Sequence, residues 1–220
     1  MTAKTRYDYL SSERTQFLDE AEEAAELTLP YLITKDQYNK GMRHLPTPWQ
    51  SVGAKGAVTL AAKLMQSMLP VQTSFFKLQV DESQLGQEFG PQIKSELDLS
   101  FAKIERTILE AIASSNDRVI VHEALLHLVV AGNALIFMGK DGLKVYPLNR
   151  YVVERDGDGN VIEIITKETI AKKLIEDQLP EDVLKQYNTV VDGSDDSVEE
   201  CDIYTHITRD NNRYVWHQEV

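Results

Sequence analysis

Two short stretches carry side chains whose types suggest metal chemistry, and spacing argues against both. His122-Glu123-Ala124-Leu125-Leu126-His127 begins like a zinc-protease helix, but that motif needs a histidine at position 126, where leucine stands. Histidines five apart on a helix diverge by about 140° and cannot share one zinc ion. Asp156-Gly157-Asp158-Gly159-Asn160 opens like a calcium-binding loop. Its sixth position is Val161 where glycine is needed, and its twelfth is Lys167 where a bidentate glutamate is needed. A tight turn between strands is the better reading. Gly53-Ala54-Lys55-Gly56 lacks the lysine–hydroxyl ending of a phosphate-binding loop, and neither a preceding strand nor a basic face supports a nucleic-acid clamp. Cys201 is the single cysteine, so there is no internal disulfide framework, and it reads as a small half-buried apolar residue. No Ser-His-Asp or Cys-His set and no framed carboxylate pair is present. No catalytic residue, metal or cofactor is therefore expected.

The polar residues with the most regular spacing are Lys55, Thr59, Lys63 and Gln66, at steps of four, four and three. They predict one narrow polar stripe on a helix capped at Ser51 and stopped by Pro70. The rest of that circumference is apolar or small, including Val58, Leu60, Ala61, Leu64, Met65, Met68 and Leu69. A surface helix needs an apolar face only about 100° wide. This helix is therefore expected to be covered on several sides, in a larger core or between subunits, with the stripe a candidate subunit contact. A second candidate docking surface is acidic. Residues 176–202 hold ten acids against one base, Lys185, and the expected loop carries Asp192, Asp195, Asp196, Glu199 and Glu200.

Around these, residues 1–11 show no periodicity and are expected to fray. A helix is predicted from Ser12 to Leu27 with Phe17, Leu18, Ala21, Ala24 and Ala25 inward, followed by a loop-like connection over 34–49. Phe75-Phe76 should begin an extended segment, and 81–88 a turn. Gly90-Pro91 opens a long helix striped by Ile93, Leu97, Phe101, Ile104, Ile108 and Ile112. Asn116-Asp117 should cap a helix burying Val121, Ala124, Leu125, Leu128 and Val129 and ending at Gly132. Hairpins are predicted at 134–147 and 151–166, short helices at 168–175 and 181–187, and a third hairpin over 201–220. The fold class is α+β, a helical N-terminal part followed by antiparallel hairpins. The expected divisions are 1–48, 49–132 and 133–220.

With 42% hydrophobic residues and no apolar run of about 18 residues, no membrane-spanning helix is expected. The net charge of −12 disfavours tight, non-specific nucleic-acid binding by the chain as a whole.

The central stretch also carries a family resemblance. Gln50, Gly53, Gly56, Leu60, Ala61, Lys63 and Leu64, then Leu69-Pro70 and Phe75-Phe76-Lys77-Leu78, form a pattern similar to that of portal proteins. These are the head-to-tail connectors of short-tailed, podovirus-like double-stranded DNA phages. Arg14 through Leu27-Thr28-Leu29-Pro30 resembles the family's opening helix. His127–Met138 and the run from Tyr146-Pro147-Leu148 to Asp156-Gly157 resemble its later passages. The resemblance implies a wing-like part of a ring of about twelve copies at one capsid vertex. Its implied partners are further copies of itself, the major capsid protein, terminase, a tail adaptor or nozzle, internal core proteins and the DNA passing through. It places the protein in the virion, and in the host cytoplasm during assembly. Portal proteins are longer than this chain, which reads as continuing beyond Val220. The competing reading is a monomeric helical adaptor or scaffold protein without a DNA channel.

Overall fold

The structure is a computed structural model that describes residues 2–34, 45–70, 73–79, 91–140, 142–171, 200–211 and 213–220. The fold is α+β, and the chain divides into two compact units. Unit 1 comprises residues 1–49 and 146–220, and unit 2 comprises residues 50–145.

Unit 1 is built on a four-stranded antiparallel meander, β3 (Tyr151–Arg155), β4 (Val161–Ala171), β5 (Glu200–Asp210) and β6 (Arg213–Glu219), in spatial order β3-β4-β5-β6. Cross-strand partners share a face, so Val152, Ile165, His206 and His217 form one registered row. Across that face lies α1 (Ala3–Glu13), whose Ala3, Tyr7 and Leu10 close a core cluster with Val152, Ile165 and Tyr204. The expected fraying of residues 1–11 is thus corrected. Thr2 caps the helix by accepting the Thr5 backbone N–H, and three core residues at steps of four and three supply the drive. Such a short pattern on an otherwise charged segment becomes informative only once a sheet is present to receive it. After Arg14 the chain resumes as α2 (Thr15–Leu27), burying Ala21 and Ala25 while Phe17, expected inside, stays exposed. Residues 168–171, expected to begin a helix, extend β4 instead, pairing Glu168–Ala171 with Glu200–Ile203. A long strand opposite satisfies their backbone groups better than one isolated helical turn would.

Unit 2 contains α3 (Val52–Met68), α4 (Pro91–Ser114), α5 (Asp117–Ala131) and the two-stranded β1 (Leu135–Gly139) and β2 (Gly142–Tyr146), the last residue of which passes into unit 1. Ser51 and Asn116 stand at the N-cap positions of α3 and α5, but neither side chain makes a capping bond. Gly132 ends α5 in the left-handed conformation, φ 71°, as its position predicted. Asp117 Oδ1 instead reaches forward to accept the Leu143 N–H, tying the start of α5 to β2. Leu128, expected inside, is exposed, while Leu126 and His127 are buried. The face of α5 that packs is thus rotated from the one the apolar count suggested. Residues 75–76 form no strand; their rings meet edge to face at 5.2 Å. Helix α4 is present, but Ile104 and Ile108 of its stripe are exposed. The turn expected over 81–88, the helix over 181–187 and most of the connection over 34–49 lie outside the described residues.

Candidate subunit interface

In α3 the buried residues are Ala57, Ala61 and Met65, one seam at steps of four that packs on α5. Small side chains at the first two positions let the two backbones approach closely. Lys55, Thr59, Lys63 and Gln66 are all exposed. At 100° per residue they fall within about 40° of Thr59, roughly opposite the seam, and Val52 joins them. The two shoulders between stripe and seam are apolar and open: Val58 is 44% and Leu60 47% accessible. The single covered seam therefore uses only a fraction of the apolar surface on this helix. The same unit exposes three consecutive apolar residues, Ile136, Phe137 and Met138, on β1. In unit 1 the edge strand β6 exposes Tyr214, Val215 and Trp216. These exposed apolar residues are the candidate contact surfaces of the two units.

Of the acidic docking candidates, Asp192, Asp195, Asp196 and Glu199 lie outside the described residues. Glu200 is not in a loop; it is the first residue of β5, paired with Ala171. Asp202, at the end of the same acidic run, accepts from Thr169 and pairs with Lys167 at 3.1 Å.

The chemical near-misses resolve into structure. Asp156 Oδ1 accepts the backbone N–H groups of Asp158 and Asn160, and Oδ2 accepts the Asn160 side-chain amide. Those bonds, the Asn160 side chain first, hold its carboxyl below the ordinary range. The carboxylate is used by its own turn, in which Gly159 supplies φ 84°. His127 is buried, its Nδ1 has no hydrogen-bond partner among the described residues, and burial pushes its pKa down against the weaker pull of Glu123. Among the described residues no group of three or more His, Cys, Asp or Glu is placed to hold a metal.

One constellation escaped the sequence. Arg6 on α1 pairs with Glu154 and, at 3.0 Å, with Glu163, whose other oxygen meets His206; the His206 and His217 rings lie 4.8 Å apart. Glu219 accepts the Ala3 backbone N–H. Burial alone would raise the Glu163 carboxyl, but Arg6 and then His206 outweigh it and hold it below the usual value. A lone acid within Val161-Ile162-Glu163-Ile164-Ile165 was the available signal. Its partner 157 residues away was not. The network fixes α1 to the sheet.

These surfaces belong to a chain whose whole length is accounted for by one family. The family model for the bacteriophage head to tail connecting protein matches residues 1–218. The chain belongs to that family. Among its relatives are the portal protein of Enterobacteria phage T3, 37% identical over 227 aligned residues, and that of Escherichia phage T7, 36% identical over the same span. Each alignment covers 99% of this chain and 41% of the relative. The portal protein of Pseudomonas phage phiKMV is 26% identical over 191 residues, covering 85% of the chain and 36% of the relative. The chain thus spans about two fifths of the length of the T3 and T7 relatives.

Proposed function

We propose that this protein acts as a phage portal: copies of it form the ring at one capsid vertex through which double-stranded DNA is packaged and later ejected. The observation that carries the reading is the alignment of 99% of the chain with proteins named as portal proteins, at 37% and 36% identity. The open shoulders of α3 and the exposed residues of β1 support it, because a ring subunit must leave apolar surface for its neighbours. So does the charge of −12: a passage lined by many phosphate-gripping lysines would hold DNA rather than let it slide.

In this reading both units belong to the wing of a ring of about twelve subunits closed by repeated head-to-tail contacts. Lys55, Thr59, Lys63 and Gln66 face a neighbouring subunit, and the acidic segment holding Asp192, Asp195, Asp196 and Glu199 docks a partner. The ring contacts the major capsid protein and docks terminase, then the tail adaptor and internal core proteins. Its role is mechanical, with ATP hydrolysis left to terminase. It resides in the virion after assembly in the host cytoplasm; no helix among the described residues is long and apolar enough to cross a membrane. Disrupting the gene in the phage should yield shells without genome, and supplying the intact protein should restore DNA-filled heads. DNA-filled heads in its absence would overturn the proposal.

A further inference from the structure

Two helices of this chain present outward faces of opposite charge and matched length. Helix α2 holds five acids and no base, and α3 holds two lysines and no acid. On α2, Asp19, Glu23 and Glu26 fall within about 60° of one another, opposite the buried pair Ala21 and Ala25. Asp19 and Glu23 are exposed, and neither forms an ion pair among the described residues. The same holds for Lys55 and Lys63 on α3. Asp19 to Glu26 spans about 10.5 Å of helix axis and Lys55 to Lys63 about 12 Å. Near one end of each stripe stands an exposed apolar residue: Leu27, 63% accessible, at the edge of the acidic face about 40° round from Glu23, and Val52, 70% accessible, on the polar stripe before Lys55.

We infer that the α3 stripe of one copy packs antiparallel on the outward face of α2 in the next copy. Leu27 then meets Val52 at the edge of the contact, Glu23 lies beside Lys55, and Asp19 faces Lys63. With the two apolar residues level, the axial offset is about 1.5 Å between Glu23 and Lys55 and about 4.5 Å between Asp19 and Lys63, which a lysine side chain spans. Reversing the direction would leave both apolar residues facing water. Antiparallel packing also sets the two helix dipoles favourably. The contact joins two different surfaces, so it repeats from copy to copy and can close a ring, whereas a self-complementary contact stops at a dimer. Charged partners of this kind fix register and exclude wrong pairings more than they add raw affinity. The inference rests on the portal reading and names the surfaces that meet.

The test uses the intact phage-encoded protein with Cys201→Ser, so that introduced thiols are the only ones along the described chain. Leu27→Cys with Val52→Cys, oxidised as assembled rings, should give a denaturing-gel ladder of covalent multimers, while either change alone gives none. A band at monomer mass, crosslinked within the chain or not at all, overturns the contact. Lys55→Glu with Lys63→Glu should lower the ring fraction at micromolar concentration about tenfold or more. Adding Asp19→Lys and Glu23→Lys should restore it. Undiminished rings, or no recovery in a quadruple variant whose helix content and melting match the parent, overturn the contact while leaving the portal reading intact. A parent protein that forms no rings overturns both.

Discussion

Removing Arg6 tests what holds α1 on the sheet. The Glu163 side chain is only 8% accessible and takes its strongest favourable interaction from Arg6, itself 24% accessible. Deleting one partner of a fully buried pair costs about 3–5 kcal/mol. Here Arg6 is partly wet and His206 remains against the carboxylate, so Arg6→Ala should cost about 2 kcal/mol. That corresponds to a fall in melting temperature of roughly 5–10 °C for a unit of this size. Both tryptophans, Trp49 and Trp216, lie in unit 1, so its unfolding in urea can be followed by their fluorescence. The pH dependence gives a second readout. Glu163 is held below its ordinary value near 4.5 in the folded protein, so its contribution is fully present above that pH. It is lost as the pH falls through the lower folded value. Without Arg6 the folded value rises, and the acid limb of the stability curve should move to higher pH. A double-mutant cycle with Glu163→Gln should give a coupling of about 1–2 kcal/mol. A loss below about 0.5 kcal/mol, with the acid limb unmoved, would refute this account, because that is the size expected of a surface substitution.

Three further substitutions probe other parts of the fold. Ile165→Ala empties a fully buried site under α1 and should cost about 3–4 kcal/mol in the same urea titration, from lost transfer energy and the cavity left behind. Gly132→Ala meets no atom within 4 Å, so its effect is the backbone strain of φ 71° alone, about 1 kcal/mol, read as loss of amide-exchange protection in the last turn of α5. His127 is depressed in the folded state, so unit 2 should be unaffected above about pH 6.5 and should lose stability as the pH falls below it, where only the unfolded chain takes up the proton. His127→Leu should flatten that slope in amide exchange measured across α5.

What could be read from the residues, and what could not, follows from how far each signal reaches along the chain. The hairpins at 151–166 and 201–220 were visible because Asp156-Gly157-Asp158-Gly159-Asn160 and Asp210-Asn211-Asn212 punctuate alternating strands, and those turns are local. Gly132 marked a helix end for the same reason. Helix α1 was missed because Ala3, Tyr7 and Leu10 define a face only against Val152, Ile165 and Tyr204, far along the chain. In the 168–171 segment Glu168 and Ala171 favour helix while Thr169 and Ile170 are β-branched, and strand pairing with 200–203 decides its conformation. The polar stripe of α3 was placed correctly on one outward face, since period alone fixes azimuth. The seam that packs is narrower than its apolar content suggested, and Leu128 and Phe17 point away from cores that the apolar count assigned to them. The ion network around Glu163 depends on tertiary contacts that no spacing encodes.

The proposed portal function requires copies of this chain to assemble into a ring. Native mass spectrometry of the intact phage-encoded protein, with the same sample imaged by electron microscopy, tests it most directly. The expected result is a closed species of about twelve subunits with a central hole. A stable monomer at micromolar concentration, with the exposed face of α3 fully protected from amide exchange within one chain, would contradict it and favour a monomeric adaptor.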